Sequence, residues 1–187
     1  FGRLELLTLD WRFSLRPVVQ NTSDIIFIDM AEDSINAIGR WPWPRKWHAA
    51  LIKILSEYKP KAIAFDVVFS EPQDDVDDLS MEAALKSSQL VYLPMLYDLL
   101  PGKVKYFYRS EGVTNAYEPI KRFSRFVRGS GHINAVPDMD GILRRVPAII
   151  SYNGKVTSHF GIKIGADILG VKDQDIIFYQ DSHSLLL

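Results

Sequence analysis

Three continuous apolar runs limit the folds that are open to this chain of 187 residues. They are residues 24–30 (DIIFIDM), 61–69 (KAIAFDVVF) and 90–97 (LVYLPMLY). Apolar runs without alternation are typical of strands that are buried on both faces, and such strands usually pair in parallel. Residues 31–38, 44–58 and 79–87, which separate the runs, have features of helices. Gly39 suits the end of the first helix, and Pro44 suits the first turn of the second. The first half of the chain is therefore predicted to form a β-α-β-α-β unit with right-handed crossovers.

The rest of the chain has shorter and less regular segments. Strands are predicted at residues 103–108, 131–136, 142–152 and 175–179. Helices are predicted at residues 119–127 and 157–169, and a long N-terminal helix at residues 2–15, which Pro17 ends. The expected fold class is therefore α/β. A mixed sheet would have a parallel first half with helices packed on it and antiparallel strands in its second half.

Length and composition favour a single globular domain over residues 1–187, with 47% apolar and 24% charged residues. Within it we expect an N-terminal helix at residues 1–16, an α/β core at 24–170 and a tail at 171–187. The chain has no cysteine, which excludes disulfides and thiolate metal sites. Its formal charge of −1 gives no field that would attract nucleic acid. No run approaches the roughly 20 apolar residues of a membrane span.

Three acidic residues follow or end the predicted parallel strands: Asp29, Asp66 and Glu71. Ligands of open α/β sheets bind at the carboxyl ends of the strands, so these carboxylates are expected to meet at one edge. There they could hold a metal, orient a basic group of a ligand, or act as an acid and base pair. Alternatively they cap helices or form ion pairs with arginines, including Arg145.

Residues 40–45 (RWPWPR) form a second candidate site. Prolines would hold Trp41 and Trp43 in a stiff, extended ledge that could stack against a planar ligand, while the flanking arginines receive a carboxylate. Alternatively the tryptophans close the edge of the sheet and the arginines pair with the acidic residues. The candidate ligand-binding residues are therefore Asp29, Arg40, Trp41, Trp43, Arg45, Asp66, Glu71 and Arg145.

Residues 138–141 and the four histidines are further features that could indicate a site. Residues 138–141 (DMDG) share Asp-x-Asp-Gly with the nucleophile loop of haloacid-dehalogenase-like phosphatases, but lack the buried strand before it and the threonine after it. A turn that aspartate side chains stabilise is expected there instead. The histidines have no spacing typical of metal ligands, and His48 is expected to be a half-buried polar residue of a helix. We predict no catalytic residue, metal or cofactor.

Taken in order, several segments resemble one family. They are residues 9–17, the strand that ends at Asp29, and residues 33–45, 64–72, 131–134 and 138–147. From about Leu4 to Gly170 the chain resembles the type-two CHASE domain, the cyclase/histidine-kinase-associated sensory extracellular module. The string Gly-Arg-Trp-Pro-Trp-Pro-Arg at residues 39–45 is the most specific part of this resemblance.

The resemblance implies a sensory domain on the outer side of the bacterial cell membrane, periplasmic or extracellular. In this family a membrane helix precedes the domain and usually three follow it. The output is a cytoplasmic histidine kinase, adenylate cyclase, diguanylate cyclase or serine/threonine kinase. The family has no assigned catalytic residues, so we expect a sensor rather than an enzyme. The start at Phe1 and the abrupt end at Leu187 are those expected of a piece of a longer polypeptide.

The expected function is to bind an unidentified small ligand or a partner at the carboxyl edge of the sheet, as a homodimer that the parent protein tethers to the membrane. The N-terminal helix would carry the signal towards the membrane. One alternative is a metal-assisted hydrolase of small molecules that uses Asp29, Asp66 and Glu71. Another is an assembly module that only sets receptor geometry, which predicts a stable dimer without a ligand-sized pocket.

Overall fold

The computed structural model describes residues 2–17, 24–100, 112–138, 140–144, 146–172, 175–179 and 184–186. The predicted strand at residues 103–108 lies outside them. The chain divides into two compact units, an N-terminal unit (Phe1–Trp43) and a C-terminal unit (Pro44–Leu187). Together they contain helices, a mixed sheet and antiparallel strand pairs, so the predicted mixed α/β class is confirmed.

The N-terminal unit contains two helices, α1 (Gly2–Ser14) and α2 (Glu32–Ile38). The described residues of this unit include no strand, and residues 24–30 form neither a helix nor a paired strand. Residues Ile25–Ile28 are 54–85% exposed, so the predicted buried strand is wrong. A strand needs a second strand to accept and donate its backbone hydrogen bonds, and an apolar run cannot specify that partner. The N-terminal helix is also short, since it has only 13 residues.

The C-terminal unit begins with two helices that pack on two strands. Helix α3 (Arg45–Glu57) follows Pro44, and α4 (Asp75–Ser88) is joined to it through strand β1 (Ile63–Ala64). Strand β2 (Val91–Leu99) confirms the strand that was predicted from the third apolar run, residues 90–97. Helix α4 begins four residues before the predicted start because the Asp74 carboxylate caps it. Asp74 Oδ1 accepts hydrogen bonds from Val76 N at 3.0 Å and from Asp77 N at 3.1 Å.

Strand β1 is much shorter than the predicted strand at residues 61–69. It pairs in parallel with the first residues of β2, and the chain then leaves the sheet in a loop. Strand β4 (Gly129–His132) pairs in parallel with the middle of β2, and β3 (Val113–Tyr117) pairs antiparallel with its end. Strand β2 is thus the centre of a mixed four-stranded sheet.

The predicted strands at residues 131–136 and 142–152 do not pair with each other in the described part of the chain. Strands β5 (Ile149–Tyr152) and β6 (Lys155–Ser158) form the antiparallel hairpin of this unit, and Asn153 and Gly154 make its turn with φ of +49° and +77°. An Asn-Gly turn with positive φ at both residues suits the twist of a two-residue hairpin. Asp140 does stabilise a turn as expected, since its Oδ1 accepts from Ile142 N at 3.2 Å.

The remaining elements are short. Helix α5 (Lys121–Ser124) is one turn of the predicted helix at residues 119–127, and α6 (Phe160–Leu169) begins after β6. Strands β7 (Ile177–Tyr179) and β8 (Ser184–Leu186) form a separate antiparallel pair, of which β7 lies within the predicted last strand.

The alternation of side chains along β2 separates the helices onto its two faces. Val91 and Leu93 join the main core with apolar residues of α3 and α4. The residue between them, Tyr92, points to the other face, where its hydroxyl donates to Asp167 Oδ2 of α6 at 2.9 Å. Burial and this carboxylate raise the pKa of Tyr92 to about 12. Helices therefore cover both faces of β2, as a buried strand requires.

Gly131 lies where β4 comes closest to the start of α6. A Cβ atom added there would lie 2.7 Å from Phe160 Cα and 2.9 Å from the Ser158 carbonyl oxygen. Both are backbone atoms, which cannot move aside as the end of a flexible side chain could. We expect Gly131→Ala to lower the free energy of unfolding by about 1–3 kcal/mol through overpacking.

The matched control is Gly165→Ala in α6, where a Cβ atom would meet nothing within 4 Å. It is expected to raise stability by about 0.5–1 kcal/mol, because alanine favours a helix over glycine. Urea unfolding followed by circular dichroism measures both variants. Equal stability of the two variants would contradict the close approach at Gly131.

Candidate functional site

A cavity of about 580 Å³ opens on the C-terminal unit. Its wall comes from the loop after β1, the end of β3, the segment leading into α5, and the turn between β5 and β6. The lining residues are Ser70, Glu71, Ala116, Tyr117, Glu118, Pro119, Ile120, Lys121, Tyr152, Asn153 and Lys155. This volume falls within the range of small-molecule sites, about 300–1,000 Å³.

Backbone pairing and aromatic packing hold two sides of the cavity together. Ile120 N donates to the Phe69 carbonyl at 2.9 Å, which joins the loop after β1 to the segment before α5. The Phe69 ring is fully buried and meets the Phe123 ring edge-on at 6.2 Å between centroids. Because apolar burial fixes the positions of these two rings, it also fixes the adjoining cavity residues Glu71 and Lys121.

The cavity wall carries four charged side chains. Lys155 Nζ and Glu118 Oε1 form an ion pair at 2.8 Å, and these side chains are 61% and 48% exposed. A pair this exposed contributes at most about 1 kcal/mol to stability. Within the part of the chain that the structure describes, the side chains of Glu71 and Lys121 form neither an ion pair nor a hydrogen bond. The cavity therefore offers one anion and one cation whose charges are not neutralised.

A buried polar cluster lies behind the cavity. The Tyr152 ring meets the Tyr97 ring edge-on at 5.9 Å between centroids, and the Tyr97 hydroxyl shares a hydrogen bond of 2.8 Å with Thr157 Oγ1. The Asn134 side chain accepts from Tyr97 N at 2.9 Å and donates to Tyr97 O at 2.7 Å. Burial raises the pKa of Tyr97. The cluster gives Tyr152 a firm support on the side away from the cavity.

His132 extends this cluster towards α6. Its ring is fully buried between Tyr97 and His159, at centroid distances of 6.4 and 5.3 Å. Neither ring nitrogen of His132 has a hydrogen-bond partner in the described part of the chain. Burial, with a smaller effect of His159, lowers the pKa of His132 to about 3, and burial also lowers the pKa of His159. His132 is therefore neutral at pH 7.

Arg45 fixes the loop that carries Glu71. Its Nη2 donates to the Glu71 carbonyl at 3.3 Å, and its guanidinium lies 4.4 Å from the centre of the Phe69 ring. Its Nε lies 3.7 Å from Asp78 Oδ1, an ion contact longer than a hydrogen bond. Gln73 completes the arrangement, since its side chain accepts from Arg45 N and its own N–H donates to Asp78 Oδ2. Burial lowers the pKa of Arg45, and Asp78 partly opposes that effect.

Of the residues predicted to bind a ligand, Glu71 lines the cavity. Arg45 is buried and holds the Glu71 loop, and Asp66 is exposed but does not line the cavity. Arg145 lies outside the described residues. The other four belong to the N-terminal unit and are Asp29, Arg40, Trp41 and Trp43.

The two tryptophans do form an aromatic contact within the N-terminal unit. Their ring centroids are 5.8 Å apart and meet edge-on, and Trp43 Nε1 donates to the Gly39 carbonyl at 2.7 Å. Trp41 is 42% exposed, and Asp29 and Arg40 are also exposed residues of this unit. Arg45 was a candidate partner of Asp29 or Asp66. It pairs with Asp78 instead, because it lies beside the first turn of α4.

Sequence reasoning missed most of the cavity wall. Tyr117, Tyr152 and Lys155 lie in the second half of the chain, where the predicted strands were misplaced. The Asn-Gly pair at residues 153–154 was the available signal, because it predicts a hairpin that brings Tyr152 and Lys155 side by side.

The described residues offer neither a metal-binding group nor a membrane-spanning helix. Among the residues that the structure describes, no three histidine or acidic side chains are grouped so that they could hold a metal ion. No helix in the described ranges is long and apolar enough to cross a membrane.

The family model of the CHASE2 domain matches residues 1–186. The chain belongs to the CHASE2 family. No curated protein and no solved structure was found to match it. CHASE2 domains are extracellular sensory domains of membrane receptors and are not themselves catalytic. The family resemblance drawn from residues 39–45 and the other segments is confirmed over nearly the whole chain.

Proposed function

We propose that this CHASE2 domain senses a small molecule that binds in the cavity beside Glu71, Lys121 and Tyr152. The observation that carries the proposal is the cavity itself, which combines aromatic walls with two charges that have no partner among the described residues. Pockets with an apolar lining and a few placed polar groups are the usual sites of small ligands. An assembly module without a ligand would need no such cavity. No observation favours the hydrolase alternative.

The signal would reach an output domain of a bacterial receptor. We infer from the family resemblance that the output is a histidine kinase, an adenylate or diguanylate cyclase, or a serine/threonine kinase, and that the domain works as a homodimer outside the membrane. A ligand shifts a signalling equilibrium only if it binds the two states with different affinity. Sequencing the parent reading frame on both sides tests the receptor assignment, because membrane spans and a kinase or cyclase domain must then be found there.

Thermal unfolding with a collection of water-soluble metabolites tests the ligand site. A compound present at about 100 times its Kd stabilises the folded state by about 2.7 kcal/mol. For a chain of this size we expect the midpoint of unfolding to rise by about 5–10 °C. The variant Glu71→Trp, which places a large side chain at an exposed position of the cavity wall, should abolish that rise.

The matched control is Glu57→Trp at the exposed end of α3, outside the cavity wall. It should keep the full response to the ligand. Both variants should unfold without ligand close to the wild-type midpoint, because both positions are exposed. An unchanged response in Glu71→Trp, or the lack of any stabilising compound, would contradict the proposed site.

A further inference from the structure

The charges of the cavity constrain the chemistry of its ligand. The cavity wall contains two carboxylates and two ammonium groups, from Glu71, Glu118, Lys121 and Lys155. Lys155 and Glu118 neutralise each other at 2.8 Å. Glu71 and Lys121 remain without a charged partner among the described residues. A ligand with one positive and one negative group can meet both, whereas a purely anionic or purely cationic ligand leaves one of them unmatched.

The uncharged wall constrains the rest of the ligand. The hydroxyls of Tyr117 and Tyr152 are already engaged, since they donate to Asp98 Oδ2 at 3.1 Å and to the Thr114 carbonyl at 3.3 Å. Their rings, with Pro119 and Ile120, therefore offer mainly apolar surface to the cavity. Such a wall suits an aliphatic or aromatic group, because aromatic side chains provide a large area for apolar contact.

We propose that the cavity binds a zwitterionic molecule with an apolar side chain, either a free amino acid or a short peptide. Lys121 would receive its carboxylate, Glu71 its ammonium group, and the two tyrosines its side chain. The cavity volume of about 580 Å³ is ample for such a molecule. This inference rests on the proposed function, that the cavity is the ligand site of the sensor.

Isothermal titration of the 187-residue chain tests the ligand class with three probes. L-phenylalanine carries both charges, N-acetyl-L-phenylalanine lacks the cation and L-phenylalaninamide lacks the anion. L-phenylalanine should bind at least about tenfold more tightly than either blocked probe, because each blocked probe loses one charge-assisted interaction. The dipeptide leucyl-phenylalanine in the same titration distinguishes a preference for peptides from one for free amino acids.

Two variants separate the roles of the charged residues. Lys121→Met should weaken L-phenylalanine and N-acetyl-L-phenylalanine by about tenfold and leave L-phenylalaninamide unchanged. Glu71→Gln should show the opposite pattern, weakening L-phenylalanine and L-phenylalaninamide only. The matched controls Lys172→Met and Glu57→Gln remove exposed charges that do not line the cavity, and they should change none of the affinities.

Each remaining outcome decides between the two proposals. Equal affinity for the charged and blocked probes, or equal losses in the control variants, overturns the zwitterionic ligand. If these probes and the dipeptide do not bind, while another metabolite stabilises the chain and Glu71→Trp abolishes that effect, the ligand class is wrong and the proposed site stands. If neither the probes nor any metabolite binds, both proposals are overturned.

Discussion

The variant Arg45→Met is expected to lower the free energy of unfolding by about 3–5 kcal/mol. Asp78, the charged partner of Arg45, is only 1% exposed, so the substitution leaves a buried carboxylate without its cation. The substitution also removes the contact between the guanidinium and the Phe69 ring, and the hydrogen bond to the Glu71 carbonyl. Because that carbonyl belongs to the cavity wall, ligand binding should weaken as well.

Chemical unfolding of three variants tests this prediction. Arg122→Met is the matched control, because Arg122 pairs with Asp75 and Glu82 at the surface, where all three side chains reach solvent. Its loss should cost no more than about 1 kcal/mol. The double variant with Arg45→Met and Asp78→Leu should recover part of the lost stability, since no unpaired charge then remains buried. Similar losses in Arg45→Met and Arg122→Met would contradict the buried ion pair.

Stability is also expected to fall as the pH decreases from 7 to 4. Burial lowers the pKa of His132 to about 3 and the pKa of His48 to about 4, from an ordinary value near 6.5. Below pH 6.5 the unfolded chain therefore binds protons that the folded chain does not, which favours unfolding. The stabilising effect is complete above pH 6.5 and decreases towards the folded pKa values. For His132 the loss between pH 6.5 and 4 should be about 3 kcal/mol.

The variant His132→Leu isolates the contribution of that residue. It removes a buried ring whose nitrogens have no partner among the described residues, so it should be tolerated at pH 7. The difference in unfolding free energy between wild type and variant should change by about 3 kcal/mol from pH 7 to pH 4, with the variant less sensitive to acid. The carboxylates common to both chains largely cancel in this difference. Parallel stability curves would show that His132 does not bind a proton on unfolding.

Local signals predicted several elements of the fold correctly. Pro44 and the spacing of apolar residues predicted α3, and the apolar run at residues 90–97 predicted β2. Gly39 ends α2 with φ of +109°, a conformation that glycine adopts without a steric penalty. These predictions succeeded because their causes lie within a few residues: a proline, a glycine, or a periodicity that fits one helix or strand.

The errors have a different origin. Residues 24–30 have the apolar run of a buried strand, yet they are exposed and pair with no strand among the described residues. The strands predicted at residues 131–136 and 142–152 do not pair with each other, whereas the Asn-Gly turn at 153–154 joins a hairpin. In both cases the local pattern is compatible with a strand, but the pairing depends on which second strand is within reach.

The candidate site was only partly predictable. The rule that ligands bind beyond the carboxyl ends of parallel strands led to Glu71, and Glu71 lines the cavity. The same rule grouped it with Asp66, which does not line the cavity. Lys121 is not among the residues that the sequence predicts to bind a ligand, yet it lines the cavity because the neighbouring Ile120 is anchored on the Phe69 carbonyl.

The α/β class, the principal helices, the central strand and the family membership all follow from the amino-acid sequence alone. Each of these depends on local composition or on motifs such as residues 39–45, which are independent of long-range contacts. Three-dimensional packing, by contrast, sets the pairing of the strands, the burial of Arg45 with Asp78, and the position of Glu71, Lys121 and Tyr152 around one cavity. Those arrangements join residues far apart in the chain, and packing in three dimensions selects them.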